Sequence, residues 1–175
     1  AVPWPDIRLD AIGLAGHSFG AQTTQALAGQ RFPVPSSLAD ARVKAFIALS
    51  PSSHRSRLSV QQQFGAIDRP FFAITGSLDG DPFGGFKTGV SRAAVYDGLP
   101  PGRRALLWLD GADHMSFAGN SARGIDGRGP FRREPLAAER EPRHHAIVAR
   151  STALWWRARL LDDEAARHAF ARPEG

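Results

Sequence analysis

The chain has 175 residues, 42% hydrophobic and 22% charged, with a formal net charge of +5 at pH 7. That balance excludes a disordered chain and leaves enough length for one domain with a substantial core. No apolar run approaches the ~18 residues that cross a membrane, and the absence of cysteine excludes a thiol nucleophile, a disulfide framework and a thiolate metal site.

A sequence pI of about 10.9 is compatible with a nucleic-acid partner. The distribution argues otherwise. All the cationic residues except Lys44 and Lys87 are Arg, and they are scattered among Ala and Gly, as expected of genome base composition. No nucleic-acid partner is expected. The first residue is Ala1 and no signal peptide is visible, so the chain is expected to be processed or a piece of a longer protein. A cytoplasmic and an exported location fit equally.

Taken in chain order, Asp10–Ala15 (DAIGLA) is a short apolar run ending at Gly16, and helix-compatible residues follow as far as Gly29. Strand, tight turn and helix are expected. Residues 31–38 carry Pro33 and Pro35 and read as a loop. Val43–Leu49 (VKAFIAL), Phe71–Thr75 (FFAIT) and Ala105–Leu109 (ALLWL) are three further strand candidates. All are near-continuously apolar, as strands covered on both faces of a parallel sheet are. Val90–Gly98 suits a short helix. Residues 116–142, rich in Gly, Arg and Pro, read as a loop insertion. A final helix is expected from about Arg143 to Leu161, with Ile147, Leu154, Ala158 and Leu161 near one face and Trp155 widening it. Trp155 and Trp156 are expected to pack that helix onto the sheet. The whole reads as a single α/β domain, 1–175, with a parallel sheet and flanking helices.

Gly16-His17-Ser18-Phe19-Gly20 fits G-x-S-x-G, the nucleophile elbow. A serine at a sharp strand-to-helix turn projects its hydroxyl outward, and small neighbours two positions away let strand and helix approach. The backbone N–H of Phe19 then points from a helix N-terminus towards a developing oxyanion. The purely structural alternative is that Gly16 and Gly20 shape a βα turn while Ser18 caps the helix.

A serine nucleophile needs a base, and the base needs an orienting carboxylate. Gly76-Ser77-Leu78-Asp79 directly follows one strand and Gly111-Ala112-Asp113-His114 follows another, giving the order Ser18, Asp79, His114 at carboxyl ends of parallel strands, where such sheets build sites. Asp81 is the alternative acid. Asp68 precedes a strand and lies at the wrong end. Asp113 abuts His114 and reads as a loop residue. His17 is expected to pack under the turn or line the pocket, and His54 breaks the order. His144, His145 and His168 read as solvated. No ligand spacing suggests a metal, and Gly80–Gly85 lacks the G-K-[ST] of a phosphate loop.

GLAGHSFGAQT, ITGSLDGD and LDGADHMSF resemble the catalytic segments of α/β-hydrolases, in particular dienelactone-hydrolase-like and platelet-activating-factor-acetylhydrolase-like serine esterases. The likeness covers about residues 6–118 and the final helix. It departs from the dienelactone hydrolases proper in having Ser18 where they have cysteine. The resemblance implies a carboxylic ester hydrolase with no cofactor, acting on a small ester through an acyl-enzyme on Ser18, with His114 as base, Asp79 as orienting acid and Phe19 N–H as an oxyanion donor. Two alternatives stay open: a serine peptidase or amidase, because the triad serves both bonds, and a non-catalytic truncated fragment that keeps the triad without a complete oxyanion hole. It also implies strands that would precede Asp10. The expectation is a C-terminal portion whose elbow strand is an apolar sheet edge, completed by a missing N-terminal segment or a partner chain that brings the second oxyanion donor. Within the loop insertion Arg123 and Arg128 either meet an acidic group of the substrate or, the favoured reading, are simply solvated.

Overall fold

Val43–Leu49 and Phe71–Leu78 hold hardly a polar residue that reaches solvent, and strands of that kind need layers on both sides. The computed structural model, which describes residues 7–34, 37–81, 87–118 and 135–171, supplies both. Its four strands are β1 (Ile12–His17), β2 (Val43–Leu49), β3 (Phe71–Leu78) and β4 (Arg104–Asp113). They form one sheet in the order β1-β2-β3-β4, with every pairing parallel. The helices are α1 (Phe19–Ala28), α2 (Val60–Phe64), α3 (Gly89–Gly98), α4 (Pro135–Leu160) and α5 (Glu164–Ala171), and a 3₁₀ turn spans His114–Phe117. The fold class is α/β.

A strand order that advances one neighbour at a time has a consequence for layering. Successive right-handed crossovers moving in one direction carry α1, α2 and α3 to the same face. Alternate residues of β2 separate accordingly. Phe46 and Ala48 join Ala21, Phe64, Phe71 and Val95 in one core, while Ile47 joins Phe72, Ile74, Leu109 and Trp155 in the other. The second face is closed by α4 and α5. Trp155 is fully buried, with its ring 5.3 Å from Phe72 and 5.2 Å from Phe170. Trp156 lies over Gly13 of β1, where an added Cβ would meet the indole at 2.6 Å. Both tryptophans therefore pack the helix onto the sheet.

Three boundaries differ from the sequence reading. β1 starts and ends two residues later than Asp10–Ala15, because parallel pairing to β2 continues through His17↔Leu49. β3 and β4 both run on past their apolar cores, to Leu78 and Asp113. The final helix begins at Pro135, so 135–142 is helix rather than loop, and Pro142 lies inside it. Ala137 and His144 on that extension are buried, and this packing outweighs the lost hydrogen bond of an internal proline. Residues 119–134, with Arg123 and Arg128, lie outside the described residues, as do 82–86 between Asp81 and Lys87. Among the described residues β1 is an edge strand, paired with β2 alone.

Candidate functional site

Because all four strands are parallel, their carboxyl ends share one rim of the sheet, and Ser18, Ser50, Asp79 and His114 all stand there. Ser18 occupies the single residue between β1 and α1, with φ 58° and ψ −111°. This is a backbone region that costs a non-glycine residue of order 1–3 kcal/mol. Its N–H donates to the Leu49 carbonyl at 3.0 Å, which ties the turn to β2. Although Ser18 stands at the N-cap position of α1, its side chain makes no capping hydrogen bond. The hydroxyl is instead 2.9 Å from His114 Nε2. As the first residue of α1, Phe19 has an N–H without an intrahelical acceptor.

Gly16 and Gly20 are not equivalent. A Cβ on Gly16 would lie 2.2 Å from the Gly20 carbonyl oxygen, whereas a Cβ on Gly20 would meet nothing within 4 Å. The close approach of strand to helix thus depends on Gly16, which rests on the Gly20 backbone.

His114 follows β4 directly and opens the 3₁₀ turn. Asp113 caps that turn, its Oδ1 accepting from Ser116 N–H and Ser116 Oγ–H, each at 2.9 Å. It is therefore the residue that fixes where His114 begins. On the other side of the imidazole, Nδ1 is 2.9 Å from Asp79 Oδ1. Asp79 is wholly buried, and its second oxygen accepts from Thr75 Oγ–H at 2.8 Å. The chain Ser18–His114–Asp79 is continuous at hydrogen-bond distance. Asp81 faces the same cavity, but the carboxylate on the ring is that of Asp79.

The other candidates are placed as follows. His17 lies beneath the turn, its Nε2 2.9 Å from the His114 carbonyl oxygen and its ring 4.8 Å from that of His114. Burial pushes it below the ordinary histidine range, and the neighbouring His114 adds to this. Asp68 is at the opposite end of the sheet, paired with Arg69. His54 packs edge-on against Phe32. His145 is 3.5 Å from Glu141, and His168 is exposed on α5. His144 departs from expectation. It is buried, with Nε2 3.1 Å from the Asp110 carbonyl oxygen, and burial holds it below the usual range. The face of α4 that covers β4 begins earlier than the apolar periodicity suggests. Among the described residues no group of three or more His, Asp or Glu is placed to hold a metal.

Sequence reasoning missed Arg92. It is buried in the first turn of α3, with Nε 2.9 Å from Asp79 Oδ1 and Nη2 3.2 Å from His114 Nδ1. Burial lowers its proton affinity, and the charges of Asp79 and Asp81 oppose that. An Arg in a short helix reads as solvated, and no periodicity separates a buried one from its neighbours.

Ser18 and His114 open on a cavity of about 170 Å³, shared with Phe19, Gln22, Asp81 and Lys87. Gln22 and Lys87 also line an adjoining cavity of about 310 Å³ that reaches Ser52, His54 and Arg55. A larger apolar cavity beside β4, lined by Leu107, Ile147 and Phe170, is remote from the serine.

No family model matches the chain, and neither does any curated protein. No described helix is long and apolar enough to cross a membrane. The functional argument therefore rests on geometry and chemistry.

Proposed function

We propose that the chain carries the site of an α/β-hydrolase-type serine esterase. The observation that carries this reading is the unbroken relay of Ser18 Oγ to His114 Nε2 at 2.9 Å and His114 Nδ1 to Asp79 Oδ1 at 2.9 Å, at the rim of a parallel sheet. A strained serine that caps nothing and faces an oriented imidazole is costly to build for structure alone.

In this proposal the ester carbonyl enters the cavity above Ser18. As Oγ attacks, its proton moves to His114 Nε2 and the carbonyl π pair moves onto oxygen. Phe19 N–H, at the positive end of α1, stabilises that oxyanion. Collapse breaks the acyl–oxygen bond, and His114 returns the proton to the departing alcohol. Water then repeats the sequence against the acyl-enzyme, with His114 again the base and the carboxylic acid leaving. Asp79, held by Thr75, keeps Nδ1–H pointed inward so that Nε2 is the accepting nitrogen.

One N–H makes half an oxyanion hole, and a missing donor of this kind costs about 10²–10³ in rate. The second donor is proposed to come from a further segment or a partner chain laid along the β1 edge, where Gly13 and Ala15 are exposed. Addition of that strand is expected to raise kcat by this factor with little change in KM.

The test is labelling of the folded chain with a fluorophosphonate, with the adduct located by mass spectrometry. Ser18 is expected to be the modified residue. Ester and amide substrates of matched acyl group, run in parallel, are expected to give turnover on the ester and little on the amide. Amide turnover of equal rate reassigns the site to a peptidase or amidase, and a Ser18 that stays unmodified in the folded chain even after the completing segment is added ends the catalytic reading.

A further inference from the structure

Arg92 is 3% exposed, and among the described residues no other Lys or Arg is buried. A guanidinium in such a place must find acceptors for its five N–H groups. Nε donates to the Asp79 carbonyl at 2.9 Å and stands equally close to Asp79 Oδ1. Nη1 donates to the carbonyls of Ser50 at 2.9 Å and Pro51 at 3.3 Å, and Nη2 to that of Gly80 at 2.9 Å. Nη2 also faces His114 Nδ1 at 3.2 Å. One side chain therefore joins the end of β2 to the end of β3 and places a full positive charge against the acid–base pair.

Asp79 Oδ1 is shared between Arg92 Nε and His114 Nδ1. The guanidinium therefore fixes the same oxygen that orients the ring, so the direction of the imidazole depends on where Arg92 holds the carboxylate.

The neighbouring side chains do not share this hold. His17 meets the His114 carbonyl rather than the ring nitrogens, and Asp113 is engaged by Ser116. Thr75 is the other side chain on the Asp79 carboxylate, and it holds the opposite oxygen.

On the serine-hydrolase reading above, we propose that Arg92 is a positioning residue that clamps Asp79, and through it the His114 imidazole, at the joined ends of β2 and β3.

The test compares the parent with Arg92→Gln and Arg92→Lys. The rate of Ser18 phosphonylation by a fluorophosphonate is measured per folded molecule at neutral pH. On the same proteins the His114 Nδ1–H resonance is observed by NMR, which does not depend on turnover. In Arg92→Gln the rate is expected to fall at least about tenfold and the Nδ1–H resonance to move or broaden, because the amide cannot bridge the two strand ends. The rate in Arg92→Lys also falls about tenfold, because an ammonium cannot bridge them as the planar fork does. A merely structural role would lower the melting temperature of both variants and leave rate and resonance where they are, and that result overturns the proposal. If Arg92→Gln does not fold, an unchanged rate in Arg92→Lys overturns it alone. If Ser18 stays unlabelled in the parent even after the completing segment is added, while the Nδ1–H resonance still moves in Arg92→Gln, the esterase reading falls and the positioning assignment of Arg92 stands.

Discussion

Replacing Ser18 with glycine is expected to move activity and stability in opposite directions. Ser18→Ala and Ser18→Gly should each reduce turnover of an activated ester by about 10⁴-fold or more, because the nucleophile of a triad has no substitute within it. His114→Ala should fall as far, and combining it with Ser18→Ala should cost no more than either alone, since the two act as one unit. Stability separates the two serine variants. At φ 58° and ψ −111° alanine is as strained as serine, so Ser18→Ala should melt near the parent. Glycine adopts that conformation freely and releases of order 1–3 kcal/mol of strain. The unfolded chain then gains about 0.4–1 kcal/mol of entropy, which opposes the gain. A net stabilisation of about 1 kcal/mol in Ser18→Gly, read from denaturant midpoints at constant m, is the expected result. A Ser18→Gly variant less stable than Ser18→Ala would mean that the elbow conformation is not strained and that its cost is no sign of function.

Much of this site is legible in the chain because its parts stand at strand ends, and buried parallel strands announce themselves by unbroken apolar runs. Val43–Leu49 coincides with β2 for that reason. Asp79 and His114 follow from the position of FFAIT and ALLWL, although both strands continue beyond those runs into residues whose pairing no hydrophobicity pattern reveals. The acid could not be chosen over Asp81 from spacing alone. Thr75, four residues earlier in β3, decides it by fixing the Asp79 carboxylate. What stays hidden depends on contacts distant in sequence. Arg92 is recognisable only once the ends of β2 and β3 are brought to it. The five-residue α2 is set by a local cap, with Ser59 and Gln62 exchanging hydrogen bonds, and is too short for periodicity to register. The first two turns of α4 carry Pro142 against them and form because Ala137 and His144 are covered, while Arg140 pairs with Asp110 at 2.7 Å.

The two glycines of the elbow look alike in the motif and are expected to respond oppositely. In Gly16→Ala the new methyl group would lie 2.2 Å from Gly20 O and 2.3 Å from Gly20 C. Those atoms belong to the backbone of α1 and cannot rotate away. Strand and helix must separate, at a cost of about 3 kcal/mol or more. The separation opens the one-residue turn that carries Ser18, and a displacement of about 1 Å from His114 costs about 10²-fold in rate. In Gly20→Ala the methyl group enters open space, and alanine improves the first turn of α1 by up to ~1 kcal/mol. Its midpoint should rise and its turnover should hold. Thermal unfolding of the two variants, with ester hydrolysis measured on the folded fraction, checks both halves. Equal loss in both would mean that the motif needs two small residues for their own sake. Loss in Gly16→Ala alone would mean that it needs one glycine to let β1 touch the helix it precedes, and that this contact holds the serine at its base.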